Sequence, residues 1–71
     1  MMPLLYANAG EEAIVQRIGG SPSVKKHLEN LGFIPGCPVC VISTMGDNLI
    51  VRVKESRIAV NRETAQKIMI A

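Results

Sequence analysis

Two cysteines three positions apart, Cys37 and Cys40, are the side chains of this 71-residue chain best suited to chemistry. Two thiolates at this spacing can begin a zinc or iron–sulfur site, but a closed zinc site needs four ligands. His27 is the one histidine of the sequence, and a second cysteine pair is absent. A strand that starts near Cys37 would also point the two thiols to opposite faces. We therefore expect no metal site and interpret both cysteines as small buried hydrophobic side chains.

The other reactive side chains lack the partners that catalysis requires. A general base needs a substrate pocket and an orienting group, and the sequence indicates neither near His27. The serines have no evident histidine partner, and no glycine-rich phosphate loop is present. Asp47 and Glu55 lie at turns and match no calcium loop. We therefore predict that the chain is not an enzyme and carries no cofactor.

The composition predicts a single small domain, residues 1–71, with an aliphatic core. Hydrophobic residues make up 48% of the sequence, but they include one Phe, one Tyr and no Trp. The net charge is only +2, the basic residues are spread along the chain, and bases have no aromatic platform on which to stack. Nucleic-acid binding is therefore disfavoured. No signal peptide and no apolar stretch of about 20 residues is recognised, which favours a cytoplasmic protein without direct membrane insertion.

The segment Leu28–Gly36 is the corner around which the predicted elements are arranged. A helix is expected to begin after Ser21, because a hydroxyl cap followed by proline is a typical helix start. Val24, Leu28 and Leu31 share one face of that helix. Gly32 should stop the helix, since glycine adopts a left-handed conformation at little cost.

Strands are predicted on both sides of this helix, connected by tight turns. They are Ala13–Ile18, Pro38–Ser43, Leu49–Lys54, Arg57–Val60 and Ile68–Ile70, with Pro3–Tyr6 as a further edge segment. The first of the five does not alternate cleanly, so we expect a bulge or burial on both faces there. One helical turn, capped by Asn61, should precede the last strand. The pattern indicates a mainly β fold, a small, partly open, five-stranded barrel with an inserted helix.

A pattern of leucine, glycine, proline and alternating apolar positions extends over nearly the whole chain. It consists of Gly10, Leu28, Leu31, Gly32, Pro35 and Gly36, then Val39, Val41, Leu49, Val51 and Val53, the run Ser56–Val60, and Ala65 with Ile68. This pattern resembles that of the ferrous iron transport protein A family, FeoA. The resemblance implies an SH3-like β-barrel with a helical insertion. It also implies a small cytosolic protein that binds and regulates FeoB, a large membrane transporter of ferrous iron with a GTP-binding domain.

The first functional hypothesis is accordingly an accessory protein of ferrous iron uptake that docks on this transporter. We expect the contact surface to be an exposed apolar corner, because an uncovered apolar patch tends to mark a partner site. Its residues would be Leu31, Gly32, Phe33, Ile34, Pro35 and Gly36. On this interpretation, changing Phe33 to Asp should abolish docking and leave the barrel folded.

A second hypothesis is a metal-responsive domain that binds a divalent transition metal directly. Iron-dependent repressors of the diphtheria-toxin-repressor type end in a similar SH3-like domain. The candidate ligands here would be Cys37, Cys40, His27 or the carboxylates at the turns. A homodimer formed through an exposed sheet edge is also left open.

The sequence departs from the family at Lys54 and Glu55, where glycine is common. Because a left-handed Glu55 would be strained, we expect a different turn there.

Overall fold

The computed structural model describes residues 1–71 and contains six β-strands, two α-helices and one short 3-10 turn. The strands are β1 (Met2–Pro3), β2 (Glu12–Ile18), β3 (Pro38–Met45), β4 (Asn48–Val53), β5 (Ser56–Asn61) and β6 (Ile68–Ile70). The helices are α1 (Pro22–Leu31) and α2 (Arg62–Lys67), and the 3-10 turn is Leu4–Tyr6. Neither helix combines the length and the hydrophobicity that crossing a bilayer requires.

All six strands belong to one antiparallel sheet in the order β1-β6-β2-β3-β4-β5. Strand β2 is shared between two halves of this sheet: its first residues pair with β3 and its last with β6. The register with β6 shifts between Val15 and Arg17, directly after the point at which β2 passes from β3 to β6. This irregularity confirms the predicted bulge, and it bends β2 so that the two halves fold over one core.

The core is aliphatic apart from Phe33, and no polar or charged residue is buried in it. Alternation places Leu49, Val51 and Val53 of β4 inside, as predicted. The buried side chains are Leu4, Val15, Ile18, Leu28, Phe33, Val39, Val41, Leu49, Val51, Val53, Val60, Ala65, Ile68 and Ile70.

The five predicted strands are all present, but the prediction for Pro3–Tyr6 is wrong beyond its first residue. Only Met2 and Pro3 are extended, and they pair with β6 as a sixth strand. The chain then turns, and the N–H of Ala7 donates to the carbonyl oxygen of Leu4 at 3.0 Å. Leu4 is fully buried. A straight edge strand would not bring this leucine into the core, so burial overrides the extended conformation.

The β4–β5 turn contains a left-handed residue, as the family pattern implies, but the residue is Lys54 rather than Glu55. Lys54 has φ +56°, the one positive φ of a non-glycine residue in the protein. A side chain at positive φ is strained, and glycine is not. We therefore expect Lys54→Gly to raise the free energy of unfolding by about 0.5–1 kcal/mol, measured by urea denaturation. Glu55→Gly is the matched control in the same turn and should give no gain. A lower stability for Lys54→Gly would contradict this interpretation.

Candidate interaction surface at the helix–strand corner

Helix α1 sets the position of the corner, and both of its ends are fixed by local interactions. At its start, the Ser21 side-chain oxygen accepts a hydrogen bond from the N–H of Val24 at 3.4 Å. Proline follows at the first helical position. Leu28 is buried, while Val24 and Leu31 pack half-buried against the core. The predicted apolar stripe therefore seats the helix on the barrel.

The helix ends in a left-handed glycine with the two hydrogen bonds of a Schellman motif. Gly32 has φ +113°, and its N–H donates to the carbonyl oxygen of Glu29 at 3.0 Å. The N–H of Phe33 donates to the carbonyl oxygen of Leu28, also at 3.0 Å. In this motif the residue after the glycine packs against the last helical turn. The backbone thus turns Phe33 inward, onto Leu28.

Phe33 is the largest fully buried side chain of the protein, with 0% of its surface exposed. The expectation that it forms part of an exposed apolar corner is therefore wrong. The physical reason is the Schellman motif, which directs the ring under α1 instead of toward solvent. Gly32 is buried too, and Leu31 is half-buried. Any docking at this corner must use the residues that follow Phe33.

Gly32 cannot be replaced without backbone strain, although its surroundings have room for a Cβ at ordinary contact distance. A Cβ added at this position would lie 3.4 Å from a methyl carbon of Val53 and 3.6 Å from Cδ of Lys54. The left-handed φ adds a backbone penalty for any L side chain. We expect Gly32→Ala to lower the free energy of unfolding by about 1–2 kcal/mol. Gly36→Ala has the same kind of positive φ and open space around its Cβ, so it should lose a similar amount in the same chemical denaturation experiment; no loss for either variant would contradict the backbone penalty.

The exposed part of the corner is Ile34, Pro35 and Gly36, and backbone hydrogen bonds fix it against β2. The N–H of Gly36 donates to the carbonyl oxygen of Val15 at 2.8 Å, and the N–H of Val15 donates to the carbonyl oxygen of Cys37 at 2.9 Å. The carbonyl oxygen of Ile34 accepts from Cys37 N–H at 2.9 Å. These bonds make the turn a well-ordered surface feature.

Strand pairing brings two further apolar residues beside this turn. Ile14 precedes Val15 on β2 and is paired with Pro38, the first residue of β3. Ile14 and Ile34 are each 37% exposed, and Pro35 and Pro38 are exposed. We call Ile14, Ile34, Pro35, Gly36 and Pro38 the corner patch. Neither Ile14 nor Pro38 was predicted from the sequence to belong to this surface. The adjacent apolar residues at the start of β2 were the available signal, since one of them must face outward.

The candidate metal ligands are not assembled into a site. No three His, Cys, Asp or Glu side chains lie together in an arrangement that could hold a metal ion. Cys37 and Cys40 are both free thiols and are only half-buried, and His27 is exposed on α1. The thiol of Cys40 is 3.7 Å from the carbonyl oxygen of Val41. Neither cysteine belongs to the buried core, contrary to the interpretation of both as buried hydrophobic residues.

The sheet, its shared strand β2 and the inserted helix define a small SH3-like barrel protein. FeoA of Stenotrophomonas maltophilia, described as an SH3 domain protein and solved in complex with zinc, has the same fold with a TM-score of 0.83. It is 23% identical, and the match covers 100% of this chain and 91% of that one. The predicted fold class is thereby confirmed, with β1 as the additional strand.

The chain belongs to the FeoA domain family, which matches residues 2–71. A Methanocaldococcus jannaschii protein that bears the name Fe(2+) transport protein A is 36% identical over 70 residues, or 99% of this chain and 85% of the relative. A crystal structure of an iron uptake regulatory protein, FeoA, superposes with a TM-score of 0.90 at 28% identity. That match covers 99% of this chain and 93% of the other. The resemblance inferred from the leucine, glycine and proline pattern is therefore confirmed.

Proposed function

We propose that this protein is a non-enzymatic, cytoplasmic accessory protein of ferrous iron uptake. It docks on the membrane transporter of ferrous iron that carries a GTP-binding domain, the FeoB-like partner, and regulates it. Membership of the FeoA family and the Fe(2+) transport name of its relative support the process. The observation that carries the docking surface is the corner patch, in which Ile34 is held outward directly beside the buried Phe33.

The corner patch has the properties of the centre of a protein interface. Its residues are apolar and exposed, the buried core of an interface is more apolar than its rim, and removing apolar surface from water favours binding. The turn is fixed by hydrogen bonds to β2, so little conformational entropy is lost when a partner covers it. Stable interfaces bury roughly 800 Å² on each partner, so the surrounding polar surface would form the rim.

A metal-responsive domain is the competing function, and Cys37 with Cys40 are the residues that favour it. Both thiols are partly accessible. A structural transition-metal site usually has four protein ligands, and the two cysteines lack further ligands nearby. Replacing both cysteines with serine separates the two functions. The accessory protein keeps its affinity for the transporter, whereas a metal sensor loses its metal response.

The proposed function is tested by direct binding of the purified chain to the detergent-solubilised ferrous iron transporter. We expect saturable binding without added metal, measured by biolayer interferometry with the transporter immobilised. The titration is repeated with a non-hydrolysable GTP analogue and with Fe²⁺ under anaerobic conditions. Absence of binding in all three conditions would refute the docking proposal. The serine double variant serves as the control for a metal-dependent contact.

A further inference from the structure

The net charge of the protein is concentrated in one part of the fold, although its basic residues are distributed along the whole sequence. Residues 52–63 contain four cationic and two anionic side chains, which equals the entire net charge of +2. The remainder of the chain balances four cationic side chains with four anionic ones. The four cationic residues of the segment are Arg52, Lys54, Arg57 and Arg62. This segment comprises the end of β4, all of β5 and the start of α2.

Strand β5 lies at the end of the sheet, so one of its edges pairs with no other strand. Its register with β4 is unbroken over six residue pairs, from Asn48 with Asn61 to Val53 with Ser56. Proteins usually protect such edges with proline, a bulge or charged side chains, because the free backbone groups can pair with another chain. Strand β5 has no proline and no bulge, and Arg57 is its one charged side chain. Its edge is therefore regular, and it can accept a strand whose charge complements Arg57.

Two arginines oppose each other beside this edge. Arg52 of β4 and Arg57 of β5 are direct cross-strand partners, and both are exposed. Like charges at directly opposed positions destabilise a sheet. The other outward residues of β5 are Ala59 and Asn61, so no carboxylate on the outward face of this strand offsets the arginine pair. The arginine pair therefore does not stabilise the sheet. Its two adjacent positive charges are well suited to bind an anionic partner.

We propose that the free edge of β5 binds an extended acidic segment of another protein by strand addition. An added strand would lie about 4.8 Å from β5, with every second side chain on the outward face. An acidic residue opposite Arg57 would also be within reach of the long Arg52 side chain. Ala59 is the next exposed residue on this face, and its small side chain leaves room for a larger side chain of the added strand. A second copy of this chain fits less well, because it would bring two positively charged edges together.

The test uses synthetic peptides of about ten residues, the upper end of the usual strand length, in which glutamate alternates with threonine and valine. The matched control replaces each glutamate with lysine. Two further acidic peptides carry backbone N-methyl groups at odd or at even positions, which removes one set of N–H donors and retains the charge. Binding is followed by amide chemical shifts of the ¹⁵N-labelled full chain at low salt. We expect the acidic peptide to shift residues 56–61, the lysine peptide not to bind, and only one N-methylated peptide to lose binding.

Charge reversal on the protein provides the second part of the test. Arg57→Glu should weaken binding of the acidic peptide by about tenfold or more, since an attraction becomes a repulsion. Arg17→Glu, the same change at an exposed position of β2, should leave binding nearly unchanged. Equal binding of both N-methylated peptides, binding of the lysine peptide, or no effect of Arg57→Glu would overturn the proposal. So would failure of the acidic peptide to bind at low salt, or a dimer of the free chain that the peptide does not dissociate.

Discussion

Replacing Phe33 with aspartate is expected to unfold the domain. The ring is completely buried, and removing a buried Phe side chain costs about 3–5 kcal/mol before any charge is introduced. A carboxylate in the same place would be surrounded by apolar side chains without a partner, which adds a further penalty. A domain of this size has a free energy of unfolding of about 5–10 kcal/mol, so the loss is comparable with its total stability. Circular dichroism and thermal denaturation measure the outcome.

Two variants make this result interpretable. Phe33→Leu keeps an apolar side chain and should retain a cooperative transition at a lower midpoint. Ile34→Asp places the same charge one residue further along the chain, at a position that is 37% exposed, and should stay folded. A Phe33→Asp variant with native chemical-shift dispersion and an unchanged midpoint would show that the ring is not part of the core.

The second large effect concerns docking. We expect Ile34→Asp to weaken binding to the ferrous iron transporter by about thirtyfold or more, the loss typical of a central interface residue. The introduced carboxylate would lose its water within an apolar contact, and no opposite charge on the transporter would pair with it. Stability should change little, because this side chain lies outside the buried core. Equilibrium binding measures the affinity for the transporter, and urea denaturation of the same preparation measures the free energy of unfolding.

Met45→Asp is the matched control for this prediction. Met45 is 66% exposed at the end of β3, in the β3–β4 hairpin, so it is an apolar surface residue outside the corner patch. It should retain binding within about threefold of the unmodified chain. Equal losses for the two variants would indicate a nonspecific effect of added negative charge. Full affinity of the Ile34 variant would rule out the corner patch as the contact.

The features of this structure that are determined by residues close together in the sequence could be predicted from it. Ser21 and Gly32 define the ends of α1 through their own side-chain and backbone properties, and both were predicted correctly. The glycine and aspartate of the β3–β4 turn likewise indicate the hairpin. The inward direction of Phe33 was missed, because it depends on a hydrogen bond five residues back and on the space beneath α1.

The composition of the corner patch depends on contacts between distant segments. Ile14 is paired with Pro38, and neither sequence neighbourhood specifies that register. The left-handed Lys54 illustrates the same limit, since the hairpin requires a tight turn but the sequence lacks the glycine that would mark the strained position. At the N-terminus, burial of Leu4 decides against a longer strand. These features follow from packing of the whole barrel, which local patterns do not contain.

Amide hydrogen exchange is the measurement that decides whether the transporter docks on the corner patch. Exchange of the purified chain is measured alone and in complex with the detergent-solubilised transporter. We expect added protection in the complex at the amides of Ile14, Ile34, Gly36 and Cys37, with α1 and β5 unchanged; Pro35 has no amide hydrogen to report. Protection confined to another surface, with these amides exchanging as in the free protein, would contradict it.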